Sequence, residues 1–283
     1  MIQHFIPSNL NEALEILSKH NCFILAGGTD LMVQKHISTG VLPHFEKDIL
    51  YVIGLKELDY INLDSDKNIH IGASTRFIEI EESPLVPEIY KKVIREIASP
   101  NIRNMATMTG NIANASPAGD SIVPLVLNDA DVVLVSVNGE RTISVNDFIL
   151  GVRKIDRKPD EMIKEIVLKP QELNYFYKKV GSRKAESITK VSFLGAYRVE
   201  GGIIKDFRVA FGSVAIKVVR NTKVEKKYIG KSIKELKVNQ VVQDYAKLIA
   251  PITDQRSNKE YRHKVAMNLL KKFLVDLKGE TDE

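Results

Sequence analysis

The sequence holds one cysteine, Cys22, and no tryptophan. A lone thiol cannot close an internal disulfide, and it cannot by itself hold an iron–sulfur cluster. Its neighbours in "NCFILAGG" are apolar, which fits a small buried hydrophobe on a strand. The six histidines, His4, His20, His36, His44, His70 and His263, are scattered. No two of them lie four residues apart, and none lies four from Cys22, as a helical zinc site requires, so no metal is expected on this chain. Long apolar runs are also missing. None approaches the roughly 18–20 residues that would cross a bilayer, so no membrane span is expected. The opening "MIQHFIPSNLNEALEIL" lacks the basic, then apolar, then small-residue order of a signal peptide, and a cytoplasmic location is the expectation. There is no internal repeat and no low-complexity segment.

Charge is present but not concentrated. The net charge of +5 is spread over "KKVIRE", "GVRKIDRKPD", "KVEKKYIGKSIKELK" and "LKKF". A nucleic-acid binder gathers such charge on one face and interleaves aromatics. Here the charges fall on the polar sides of predicted helices, which reads as a solvated surface and predicts no nucleic-acid partner. With 44% apolar and 27% charged residues, the 283-residue chain has an ordinary globular composition. It is long enough for two domains, each with its own core.

The N-terminal part alternates helices and strands. "NLNEALEILSKH" predicts a helix capped by Asn9, with Leu10, Ala13, Leu14 and Leu17 on one apolar stripe. "CFILAG" suits a buried parallel strand, "GGTDLMVQKHI" a turn feeding a helix, and "ILYVIG" a second strand. "KNIHIGAS" predicts a strand and "LVPEIYKKVIREIAS" an amphipathic helix. "AGDSIVPLVLND" reads as helical, "DVVLVSV" and "RTISV" as a hairpin turned at "NGE", and "EMIKEIVLK" as one more strand. The character changes near residue 170. Beyond it come three long strands, with a hairpin turn at "EGG", and then two helices separated by "APITDQRSN". The expected organisation is α+β: residues 1–170 in two subdomains, about 1–55 and 56–170, followed by 171–283 as a C-terminal domain of three antiparallel strands and helices.

Two small-residue stretches carry the chemistry, "FILAGGTDLMVQ" at 23–34 and "ATMTGNIANASPAGDSIVPL" at 106–125. In the first, Gly27 and Gly28 let backbone approach a ligand closely, and successive N–H groups at a helix start suit an anion such as a pyrophosphate. A strand–Gly-Gly–helix junction is also an ordinary tight turn. It matches neither a Walker A loop nor the Gly-x-Gly-x-x-Gly fingerprint. In the second stretch, Thr107, Thr109, Asn111, Asn114 and Ser116 offer short donors and acceptors. Gly110 gives access to backbone, Pro117 stiffens the exit, and Asp120 can accept from a ribose or an amine.

"AGGTDL" followed by "TMTGNIANASPAGD" resembles the FAD-binding medium subunit of the molybdenum hydroxylases, the xanthine dehydrogenase and carbon monoxide dehydrogenase type enzymes. "KVGSRKAESITKV", "FGSVA" and "PITDQRSNKEYRHKVAMNLL" resemble later segments of the same family, in order, so the likeness runs nearly full length. It implies a two-subdomain, PCMH-like FAD-binding domain and an oxidoreductase role. Ile24, Leu25, Ala26, Gly27, Gly28, Thr29, Asp30 and Leu31 would then wrap the pyrophosphate. Thr107, Met108, Thr109, Gly110 and Asn111 would line the flavin and its diphosphate, and Ser116 belongs to the same cofactor set. Asp120 would bond the ribityl or nucleotide part, Ile163 would pack on the ring system, and Lys179 would reach the flavin edge and stabilise the anionic reduced form. No side chain is expected to be catalytic. The implied partners are a small iron–sulfur subunit and a large subunit carrying the molybdenum cofactor, in a hetero-oligomer that passes electrons through FAD to NAD+, a quinone or oxygen. Thr109 departs from the family, which has Gly there. A positive φ at that position would strain Thr, and a scaffold that has lost FAD is the alternative reading.

Overall fold

Asn9 opens the first helix, Leu10–Lys19, its side chain accepting from the Glu12 N–H at 2.9 Å. Ala13, Leu14 and Leu17 face inward, as the apolar stripe predicts. The strand Cys22–Leu25 follows and runs parallel to Asp48–Tyr51, with Cys22 opposite Asp48 and Leu25 opposite Tyr51. His4–Phe5 lies parallel on the far side of Asp48–Tyr51 and completes a three-stranded sheet. Cys22 is buried in the core beneath it with Ala13, Leu17, Leu50 and Val52, and burial pushes its thiol pKa up, leaving an inert apolar filler.

The computed structural model describes residues 2–279. They divide into two compact units, Met1–Ser116 with Asp129–Pro170, and Pro117–Asn128 with Gln171–Glu283. The first unit holds the parallel sheet and a second sheet of five strands. Its order is Ile61–Leu63, Ile69–Gly72, Met162–Leu168, Asp131–Ser136, Gly139–Ser144, and every neighbouring pair is antiparallel. The four central residues of Asp131–Ser136 are all buried, which is why that strand is a continuous apolar run rather than an alternating one.

Two local expectations change. The helix after Gly28 is only Leu31–Lys35. The stretch from Thr107, read as a small-residue turn, is a helix, Met108–Asn114. Thr107 caps it, Oγ1 accepting from the Gly110 N–H at 3.0 Å, and burial of Met108, Thr109 and Ile112 holds a sequence of weak helix formers in place. It ends at Ala115, which adopts a left-handed φ of 46°.

The second unit is built on Asn174–Val180, Val191–Glu200 and Ile203–Gly212, all antiparallel, with Gly201 and Gly202 at φ 57° and 76° in the tight hairpin turn. The short strand Val219–Arg220 adds a fourth to the three expected. The helices Val238–Ala246 and Lys259–Gly279 are present, and Phe273 of the latter packs on the sheet. A Cβ at residue 195 would lie 2.7 Å from the Phe273 ring, so Gly195 makes the seat for it. Phe176, Phe193, Tyr197 and Phe207 surround that ring at centroid distances of 5.6–6.1 Å. Phenylalanines thus supply the bulk that the missing tryptophans leave to other residues. Among the described residues, no helix is long and apolar enough to cross a membrane.

Candidate functional site

The two small-residue stretches meet inside the first unit. A Cβ on Gly27 would lie 1.8 Å from the Met105 carbonyl oxygen, so the chain entering the second stretch crosses directly over Gly27. Gly28 takes φ 72°, and its carbonyl accepts from the Met32 N–H at 2.9 Å as the short helix begins. Among the described residues, the backbone N–H groups of Gly27, Gly28, Thr29 and Asp30 donate to no acceptor. Successive unclaimed donors beside two glycines form an anion cradle, and their chemistry fits a diphosphate. The helix behind them has five residues, so its summed dipole is small and the local N–H groups carry the attraction. Ile24, Leu25, Ala26 and Leu31 flank this cradle, each half-buried.

Thr109 lies within the helix Met108–Asn114 and is absent from the positive-φ residues, so the strain that would have argued against a β-branched residue does not arise. Its hydroxyl points inward, donating to the Ala73 carbonyl at 2.6 Å and lying 3.2 Å from Thr107 Oγ1. Gly110 stays exposed, and Asn111 is half-buried. At the other end of the helix, Asn114 Oδ1 accepts from Gln34 Nε2 at 2.8 Å, and Asn114 also bonds the Asp30 side chain. Crowding raises the Asp30 carboxyl above the usual range, with Arg153 and Asn114 pulling it partly back. The side chain keeps solvent contact, which limits the consequence of that shift. Ser116 follows the helix, half-buried. Ile163 is buried on Met162–Leu168, and the next residue's carbonyl, on Lys164, accepts from the Ala73 N–H at 2.9 Å. Ala73 therefore links that strand to Thr109.

Asp120 and Lys179 belong to the second unit. Lys179 Nζ lies 2.9 Å from Asp120 Oδ2, and Thr189 Oγ1 donates to Asp120 Oδ1 at 2.5 Å. Burial pushes the Asp120 carboxyl up, and Lys179 and Thr189 offset part of the rise. Both carboxylate oxygens thus have partners within the unit. A hub lies beside this pair. Arg262, 3% exposed, donates to the carbonyls of Lys190 (2.7 Å) and Ser213 (3.0 Å) and to both oxygens of Asp254 (2.9 Å each). Ser213 Oγ donates to the Thr189 carbonyl at 3.3 Å, and the Ser213 N–H to the Pro117 carbonyl at 2.9 Å. The segments "SPAGD", "KVGSRKAESITKV", "FGSVA" and "PITDQRSNKEYRH" therefore converge on one connected network. The reading of individual residues missed Ala73, Gln34, Thr189, Ser213 and Arg262. Only the last three lie in segments that the resemblance had marked.

Residues 1–170 match the family model described as the FAD-binding domain in molybdopterin dehydrogenase, and residues 175–277 match the C-terminal domain of carbon monoxide dehydrogenase flavoprotein. The chain belongs to this flavoprotein family. The medium chain of glyceraldehyde dehydrogenase from Sulfolobus acidocaldarius is 31% identical over 274 residues, covering 95% of each chain. A putative xanthine dehydrogenase FAD-binding subunit of Escherichia coli is 27% identical over 276 residues, covering 95% of this chain and 93% of that one. A chain in a solved structure of carbon monoxide dehydrogenase from Hydrogenophaga pseudoflava superposes with a TM-score of 0.86 at 23% identity, covering 96% of this chain and 95% of the other, which shows a shared fold. Flavoproteins of this family bind FAD, and the donor set at Gly27–Asp30 fits that cofactor's diphosphate.

Proposed function

We propose that this chain is the electron-transfer flavoprotein of a molybdenum hydroxylase complex. It accepts electrons from an iron–sulfur partner subunit and delivers them to an acceptor such as NAD+, a quinone or oxygen. The observation that carries the reading is the cradle of unclaimed N–H groups at Gly27–Asp30, locked against the second stretch by the contact of Gly27 with Met105. When bound, FAD supplies the chemistry that links two-electron and one-electron carriers. The residues of this chain bind and orient it. The N–H groups at 27–30 hold the diphosphate. The capped helix from Thr107 presents the Gly110 and Asn111 backbone beside it, and the inward hydroxyl of Thr109 fixes that helix to Ala73. The roles of Ser116, Asp120, Ile163 and Lys179 rest on the resemblance of the sequence segments, and substitution of each is their test.

Iron–sulfur clusters and the molybdenum cofactor belong on partner subunits in this reading, and the single cysteine is in keeping with it. The relatives' own names, medium chain and FAD-binding subunit, support a hetero-oligomer. A scaffold without flavin rested on strain at Thr109, and the helical backbone there removes its motive. The test is the visible spectrum of the purified chain, with identification of whatever heat releases. Flavin absorption and released FAD are the expected result. A colourless chain that takes up no added FAD would overturn the reading. Acceptor reduction by the full complex that persists unchanged after flavin removal would overturn the electron-transfer role.

A further inference from the structure

We propose that His70 is a positioning residue for the cofactor loops, a protonated clamp between Asp64 and Glu165 that steadies the helix beginning at Thr107. The proposal rests on the reading of that helix as part of the FAD site. His70 Nδ1 lies 3.0 Å from Glu165 Oε1, and His70 Nε2 lies 3.2 Å from Asp64 Oδ2. Carboxylate oxygens face both ring nitrogens, and only the doubly protonated imidazolium can donate to both. Both carboxylates are held as acceptors by other donors. The Tyr60 hydroxyl donates to Glu165 Oε2 at 2.6 Å. Asp64 accepts from the Asn68 side chain and from the backbone N–H groups of Asp66 and Asn68, which hold its carboxyl down at about 2.

The clamp stands close to the site along the chain and through hydrogen bonds. His70 is on the strand Ile69–Gly72, and Ala73 is the next residue beyond it. The Ala73 carbonyl accepts the Thr109 hydroxyl, and its N–H donates to Lys164, the residue before Glu165. The register between Met162–Leu168 and Asp131–Ser136 shifts between Ile163 and Glu165, so ladder pairing is irregular where the clamp takes hold. Across the two ladders His70 pairs with neutral residues, Asn62 on one side and Val167 on the other. Beyond Glu165, Glu140 is in turn paired with Lys164 at 2.6 Å.

The sign of the pH effect follows. Burial alone would lower the His70 pKa, but the hydrogen bonds and charges of Glu165 and Asp64 outweigh it and raise it above 6.5. A raised folded pKa means the clamp is fully formed below about pH 6.5 and is lost as pH rises through the folded value. Tyr60 is shifted further up from its ordinary value near 10, so it keeps its proton through this window.

The experiment uses the full-length chain and two readouts across about pH 6 to pH 9. One is amide exchange of residues 107–114 without FAD, corrected for intrinsic base catalysis. The other is the FAD dissociation constant. In the wild type, the corrected opening of this helix and the dissociation constant should both rise with pH, by roughly three- to tenfold, the range expected for one ordinary net hydrogen bond, since the His70 ring keeps some solvent contact. In His70→Gln, both should be flat with pH and close to the wild-type values at alkaline pH, with the far-UV spectrum unchanged. Opening that is flat with pH in the wild type overturns the proposal whatever FAD does, and so does an unaltered pH profile in His70→Gln. If His70→Gln fails to fold, titration of the His70 ring by NMR in the wild type decides: a pKa at or below 6.5 overturns the clamp. Opening that follows the predicted profile in a chain binding no FAD at any pH would uphold the clamp and defeat the cofactor reading, so the two failures are distinguishable.

Discussion

At the end of the strand Cys22–Leu25, the FAD-binding unit leaves the N–H groups of Gly27–Asp30 without acceptors among the described residues and brings a carbonyl against Gly27 where any side chain would sit. At the end of Val191–Glu200's sheet, the C-terminal unit does the reverse. It buries Arg262 and gives its two terminal nitrogens two carbonyls and a carboxylate, leaving only Nε without a partner among the described residues, and it buries Asp120 against Lys179 and Thr189. One region keeps small, uncharged groups available, and the other ties up large charged ones. The difference has a physical reason. Unclaimed backbone donors next to solvent cost little until a ligand arrives, whereas an unclaimed buried charge would cost several kcal/mol at once. Available groups therefore point to binding, and a buried charge held by partners of its own unit, as at Arg262, points to architecture, while the cofactor roles of Asp120 and Lys179 rest on the resemblance.

The largest effect is expected at the cradle. Gly27→Ala places a methyl 1.8 Å from the Met105 oxygen, and backbone on both sides must move. Destabilisation at or above the upper end of the about 1–3 kcal/mol typical of overpacking is expected, together with loss of FAD from the purified chain. Flavin content and thermal unfolding check it, and retention of full flavin content would mean the two stretches are not held together by the crossing of Met105 over Gly27. Next comes the hub. Arg262→Met strips donors from Lys190, Ser213 and Asp254 together. Asp254 keeps some solvent contact, so a loss of about 3 kcal/mol, at the low end for a broken buried pair, is expected in denaturant unfolding. If saturated groups are architecture, the folded remainder should still hold FAD in proportion to the fraction folded.

How far the sequence reveals each region follows from the range of the forces involved. The Asn9 cap, the parallel strand at Cys22 and the hairpin at Gly201–Gly202 depend on neighbouring residues, and each is readable. The helix Met108–Asn114 is not, because Thr, Gly and Asn are poor helix formers and its stability comes from burying Met108, Thr109 and Ile112 against distant chain. Gly27 could be singled out as a point of close approach, but the sequence suggested a ligand there, and the chain's own Met105 carbonyl is what approaches. The segments that build the hub were visible one by one. Their meeting at Arg262 spans 72 residues to Lys190 and 49 to Ser213, and no local pattern encodes that.

A finer test lies at Thr109. Thr109→Val removes the hydroxyl and leaves the buried Ala73 carbonyl without it, so a loss of about 1–2 kcal/mol is expected, while Thr109→Ser should recover most of it. A Val variant as stable as the wild type would mean that the helix is held by packing alone. The smallest effect is expected at Gln34, whose amide bonds Asn114 on the surface. The bond competes with water at both ends, so Gln34→Ala should cost about 0.5 kcal/mol or less and change the FAD dissociation rate by under about twofold. The value of this variant is its contrast with Gly27→Ala. Both touch the junction of the same two stretches, but one removes an exposed side-chain tie and the other disrupts packed backbone. If Gln34→Ala released FAD as readily as Gly27→Ala, the stretches would be held together by surface hydrogen bonds, and the cradle would be a flexible loop that closes on its ligand rather than one built in advance by the crossing of Met105 over Gly27.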